Sequence, residues 1–185
     1  MRSIAPLLAV ALAAAAPAVA AQVVPVAQFD SVELRGGGDI VVVPGPMQRV
    51  TVLEGSPGLR VERGGKLRID ACPQRCPPGY RLRMEIQSPR VPDLGVMGGG
   101  SIATRPGFAA QPELAVAVNG GGRIDARSVD AGNVSAAVNG GGQLDVRARA
   151  MLTAAINGGG LVRYAGNPQV TSAVHGGGAV IRSLQ

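Results

Sequence analysis

The chain contains no tryptophan and only Phe29, Tyr80, Phe108 and Tyr164 among the other aromatics, so no thick aromatic centre holds it together. Thin stacked layers suit what remains, 28 glycines and aliphatics that are mostly Val, Ala, Leu and Ile. Histidine occurs once, at His175, and a Ser-His-Asp or Cys-His arrangement has to use it; no nucleophile motif flanks it, and no catalytic residue is assigned. Two cysteines do not complete a zinc site. No Gly-Lys-Ser/Thr follows any glycine run and no helix follows either, which excludes phosphate loops and dinucleotide fingerprints. Calcium repeats need a nine-residue period, and aspartate stands in the comparable place only at Asp125 and Asp145, so neither metal nor cofactor is expected. Lysine occurs only at Lys66, and the arginines are scattered without aromatic stacking platforms, which disfavours nucleic acid.

What is present begins with an address. Met1-Arg2 is a short basic start, Ile4 to Ala16 is apolar, and Ala18-Val19-Ala20 supplies small residues at alternate positions. A signal peptide over 1–21 is expected, cleaved after Ala20 or Ala21, which removes Arg2 and lowers the net charge from +6 to +5. Nothing later in the chain is apolar for long enough to span a bilayer. Export follows. A linker over 22–28 and a single domain over 29–185 are expected, as the length of 185 residues suggests.

Beyond Gln22 the aliphatics fall at every other position. Phe29 to Arg35, Ile40 to Val43, Arg49 to Leu53, Leu59 to Val61, Lys66 to Ile69 and Tyr80 to Ile86 read as short strands between Gly or Pro turns. Over 93–185 the order is stricter: five Gly-Gly-Gly triplets begin at Gly98, Gly120, Gly140, Gly158 and Gly176, spaced 22, 20, 18 and 18 residues apart, whereas 29–92 is less regular. Aligned on the triplets, Val96, Val118, Val138, Ile156 and Val174 form one column, and Ile102, Ile124, Leu144, Val162 and Val180 form another. Such columns are expected where each coil lays a side chain over the one below, about 4.8 Å away, in a dry stack. The fold class expected is all-β, a solenoid with glycine-rich turns.

Three sets of polar residues stand out. Asn119, Asn139, Asn157 and His175 precede four of the triplets and suit a structural turn ladder, because both types tolerate left-handed backbone and amides stack. Asp125, Asp145 and Arg163 share a face with Arg105, Arg127 and Arg147, a mixed-charge stripe expected to point outward. It is either a solvated face that keeps the stack soluble or a binding stripe for an anionic or sugar polymer. Cys72 and Cys76 bracket a Pro-containing loop and in an oxidising compartment are expected to form a disulfide. The loop, extended by Pro77-Pro78-Gly79, is a second candidate contact site.

The order Phe29-Asp30-Ser31-Val32-Glu33-Leu34, Asp39-Ile40-Val41-Val42-Val43, Arg49-Val50-Thr51-Val52, Gly64-Gly65-Lys66-Leu67-Arg68-Ile69 and then the glycine triplets resembles the exported bacterial family called the putative auto-transporter adhesin head, or GIN, domain. The resemblance covers about Phe29 to Leu184. It implies a right-handed parallel β-helix outside the cytoplasm and supplies no catalytic residues. The chain departs from the family in its Cys pair and in having no recognisable autotransporter barrel after the triplets. A non-catalytic, adhesin-like envelope module is therefore expected, binding a surface glycan, anionic polymer or protein partner. The alternatives are a polysaccharide-acting enzyme using Asp125, Asp145, Arg127 and Arg147, or an element that self-associates through its C-terminal coil.

Overall fold

The computed structural model describes residues 21–183; the expected signal peptide lies outside the described residues except for Ala21. The chain is all-β, as expected, with fifteen strands in one sheet. Seven strands stack in a first row or feed it: β2 (Ser31–Arg35), β5 (Gly58–Glu62), β6 (Lys66–Asp70), β8 (Asp93–Gly98), β10 (Gln111–Gly120), and the C-terminal halves of β11 (Arg123–Gly140) and β12 (Gln143–Asn157). The same row closes with β14 (Gln169–His175). The second row holds β1 (Gln22–Val24), β3 (Asp39–Pro44), β4 (Arg49–Glu54), β7 (Arg83–Ser88), β9 (Ser101–Thr104), β13 (Leu161–Ala165) and β15 (Ala179–Arg182), with the N-terminal halves of β11 and β12. The two long strands thus run from one row into the other, and a register irregularity between Ala126 and Asn133 marks the passage. β1 falls within the stretch read as a linker and pairs with β4.

The expected right-handed parallel β-helix is corrected by this pairing. The sheet is a mixed parallel and antiparallel half-barrel, because β1 with β4, β4 with β7 and β5 with β6 all run antiparallel. Two turns cause the reversals. After β3, Pro44-Gly45-Pro46 withholds two backbone N–H groups and sends the chain back across β7 as β4. The chain recovers its first direction at Arg63-Gly64-Gly65, where both glycines take positive φ, 87° and 73°, in a connection too short to do anything but fold β6 back on β5.

Elsewhere neighbours are parallel and the aliphatic columns hold. Val96, Val118, Val138, Ile156 and Val174 are in register, as are Ile102, Ile124, Leu144, Val162 and Val180. Inward residues of both rows make one core, in which Leu34, Ile69, Ile86, Ile124, Leu144 and Leu152 are fully buried. The glycine triplets form the corner between the rows. The first glycine of each carries the positive φ, 125° at Gly98 and 118° at Gly120, whereas among the described residues no residue other than glycine does. Asn119, Asn139, Asn157 and His175 are therefore in extended backbone, not in the left-handed region. They do lie in register, and Asn157 Nδ2 donates to Asn139 Oδ1 at 3.2 Å.

Candidate functional site: an enlarged corner

Gly36-Gly37-Gly38 belongs to the same corner. Gly100 N donates to Gly36 O at 3.0 Å, Ser101 N to Gly38 O at 2.8 Å, and Arg123 N to Gly100 O at 3.0 Å, one pattern carried from layer to layer. On the far side of Gly36–Gly38 the pattern continues with different residues. Ala71 N donates to Arg35 O at 2.9 Å, and Asp39 N donates to Leu82 O at 2.9 Å. Ala71 thus stands where a first glycine stands elsewhere, and buried Leu82 where a third glycine stands. Between them, residues 72–81 take the place of the single middle glycine. The Cys loop is an enlarged corner, set directly on a minimal one.

Three local devices hold it. Cys72 and Cys76 are disulfide-bonded, with Cα atoms 5.8 Å apart. Tyr80 Oη donates to Ala71 O at 2.6 Å and accepts from Ser56 N at 3.0 Å, which ties the end of the loop to its start and to the turn after β4. Gly55, at φ 98°, lets that turn approach closely: a Cβ there lies 2.8 Å from Arg81 O. The loop leans over the bare glycines and leaves a cleft of about 660 Å³. Arg35, Asp39, Asp70, Tyr80 and Arg81 line it together with Gly36–Gly38 and both cysteines. Arg35 is already paired with Glu33, Nε to Oε1 at 2.6 Å. Burial acts to raise the Glu33 pKa, but hydrogen bonding and charge from Arg35 and Lys66 outweigh it and hold the carboxyl below its ordinary value. Arg81 is exposed and makes no ion pair among the described residues.

The mixed-charge stripe is a different object from the one expected. Asp125 faces outward, and Arg127 binds it with both Nε and Nη2, at 2.9 and 2.6 Å. Those hydrogen bonds hold the Asp125 carboxyl below its ordinary range, against a smaller opposing effect of burial. Asp145 lies in register with Asp125 and Arg163 but is only 1% exposed, which corrects the expectation of a solvated column. Its neighbours cover it: Arg123 Nη2 donates to Oδ2 at 2.6 Å, Gln143 Nε2 donates to the same oxygen at 3.0 Å, and Arg163 Nη1 stands 3.6 Å from Oδ1. Arg105, exposed, and Arg147, half-buried, make no ion pair among the described residues. The two carboxylates of the stripe are held by arginines. The cleft differs in being concave: within it Asp39 accepts from Ser101 Oγ and Asp70 pairs with Arg68 at 3.2 Å, which leaves Arg81 as its unpaired cation among the described residues. Arg35, Asp39, Asp70, Tyr80 and Arg81 were not singled out from sequence. The signal that finds them is the triplet Gly36-Gly37-Gly38, once it is joined to the other five.

Residues 97–168 match the family model described as "Putative auto-transporter adhesin, head GIN domain", so the resemblance read from the sequence is shown over that stretch, and its description is that of an exported or surface class of protein. Among solved structures, one described as a putative adhesin from Bacteroides fragilis NCTC 9343 is 15% identical, with 89% of this chain and 96% of that one covered and a TM-score of 0.52. It is a likeness of fold. A putative adhesin from Parabacteroides distasonis ATCC 8503 is 16% identical over 89% of this chain and 96% of its own, at a TM-score of 0.44. A putative cell adhesion protein from Clostridium sporogenes ATCC 15579 is 8% identical over 88% and 98%, at 0.39. No curated protein matches the chain.

Proposed function

We propose that this chain is an exported, adhesin-like binding module that acts without catalysis and seats its ligand in the cleft beneath the 71–82 loop. The observation that carries this reading is the enlarged corner itself. In stacked β architectures an insertion at one turn builds a contact surface on an otherwise uniform edge, and the inserted loop here is braced by a disulfide and by Tyr80. The cleft combines bare glycine backbone with Arg81, Asp39 and Asp70, which suits a hydroxyl-rich ligand bearing anionic groups, such as an envelope glycan. Its two acidic and two basic side chains argue against a purely electrostatic grip on any polyanion. The carboxylates of the stripe are engaged with arginines, Asp125 with both Nε and Nη2 of Arg127 and Asp145 with Arg123 Nη2, which supports a non-catalytic role. Envelope placement, in the periplasm or at the surface, follows from the same reading.

The test is binding of the purified exported chain to an array of bacterial envelope glycans at low and moderate salt, with product release followed in the same wells. Saturable, salt-sensitive binding without cleavage is expected, lost in Arg81→Ala and kept in Arg127→Ala. Release of product, or binding that depends on Arg127 and not on Arg81, overturns the assignment.

A further inference from the structure

Among the described residues four strands lie at the edges of the sheet, and three of them are protected. β1 is only three residues long. β5 carries Arg60 and Glu62, paired with each other at 3.4 Å. β15 is four residues long and places Arg182 in the inward column, in register with Tyr164. Short length, charge and inward-pointing charge are the usual means of keeping an edge from pairing. β14 has none of them. It is seven residues long, Gln169-Val170-Thr171-Ser172-Ala173-Val174-His175, with no Asp, Glu, Lys, Arg or Pro and no register irregularity against β12.

Its inward side chains are also uncovered. Val170, Ser172 and Val174 continue the columns of Leu152, Ala154 and Ile156, which are 0–2% exposed; Val170 and Val174 are 36% and 40% exposed. The set is symmetric about Ser172. When two β14 strands pair antiparallel with Ser172 opposite Ser172, Val170 of each copy stands opposite Val174 of the other, so both inward faces meet on the same side of the joined sheet. A self-complementary patch of this kind is what a two-fold contact requires. With no charged side chain on the strand, it does not repel its own copy.

We propose that β14 is a self-association edge, pairing with β14 of a second copy about a two-fold axis at Ser172. The contact joins the sheets of two molecules and stops there, because both copies use the same edge. The corner carries the chain from β14 into β15 of the other row, so each copy brings an Arg182 to the same end of the stack, and the two like charges oppose the contact. Association is therefore weak and strengthens when that charge is removed or screened. Two ligand clefts carried by one particle would bind a repeating polymer more tightly than either cleft alone, without any new contact.

Sedimentation equilibrium and light scattering on the purified exported chain, across a concentration series, test this directly. A species of twice the monomer mass is expected at high concentration, reverting to monomer mass in Ser172→Lys and shifting to lower concentration in Arg182→Gln or at higher salt. Oxidation of Ser172→Cys tests the register. Directly opposed residues of an antiparallel pair lie within disulfide reach, whereas Val170→Cys places its two copies about 14 Å apart. A cross-linked dimer is thus expected from the first variant and not from the second. Monomer at all concentrations, an open-ended ladder of larger species, or cross-linking through Val170→Cys in preference to Ser172→Cys each overturns the proposal.

Discussion

Three consecutive glycines, Gly120, Gly121 and Gly122, should respond to alanine in three different ways. Gly120 has φ 118°, a conformation that costs an L-residue about 1–3 kcal/mol, and an added Cβ sits 2.8 Å from Gly98 O. Gly122 has no positive φ, but an added Cβ runs into Val96 Cγ1 and lies 2.7 Å from Gly100 O, so the previous layer must move; overpacking of this kind costs about 1–3 kcal/mol. Gly121 has neither problem. Its φ is not positive and nothing lies within 4 Å of the added carbon. Gly121→Ala should therefore stabilise by about 0.4–1 kcal/mol, by restricting the unfolded chain. Calorimetry on the three single variants reads the difference, since each kcal/mol moves Tm by about 2–4 °C in a chain of this size. The melting point rises slightly for Gly121→Ala and falls for the other two. A loss at Gly121 as large as that at Gly122 would show that the corner does not have this geometry.

Other consequences are as specific. Arg123→Ala removes the nearest partner of a buried carboxylate and should cost about 1–3 kcal/mol in denaturant unfolding. Asp145→Ala should cost less, because Arg123 and Arg163 are partly exposed and hydrate once released; the reverse order refutes the burial argument. Glu33 and Asp125 are held below their ordinary values of 4.5 and 3.8, so the stability each contributes is complete above those values and is lost as pH falls through the lowered folded ones. Acid titration of Tm should thus be flatter below pH 4.5 in Glu33→Gln with Asp125→Asn than in the parent, and parallel curves contradict the ion pairing. Replacing Cys72 and Cys76 together by serine should cost about 2 kcal/mol in the chain-entropy model. Ligand affinity should suffer more than stability, and unchanged affinity removes the loop from the site.

Stacked aliphatic columns were legible because each column repeats one residue class at a fixed distance from a glycine triplet, and Val96 through Val174 show it without help from structure. Gly36-Gly37-Gly38 escaped the alignment for the opposite reason: the next triplet begins only at Gly98, far outside the 18–22 residue spacing of the others. Turn residues marked where the chain bends but not which way it leaves. Gly64-Gly65 and Pro44-Gly45-Pro46 were read as breaks, yet their shortness and missing N–H groups are what turn two segments antiparallel. Tyr80 to Leu82 keeps a strand's alternation but belongs to the corner, where Leu82 fills a third-glycine place. Asp145 sits on the outer face by alternation, and its burial depends on long side chains from three other positions, which no column shows.

The enlarged corner also limits its own neighbours. Layers are only about 4.8 Å apart, less than the thickness of a single side-chain-bearing loop. A loop that leans over the next layer, as 71–82 does, therefore needs the corner beneath it to stay bare. Gly36-Gly37-Gly38 is that clearance: its emptiness is the room into which the 71–82 loop hangs, so the cavity is shaped by a spacing rule of the stack as much as by the residues that line it. A recognition loop grafted to lean in the same direction would accordingly need an unfilled triplet in the layer beside it, which makes each bare corner along the glycine edge the clearance for its neighbour.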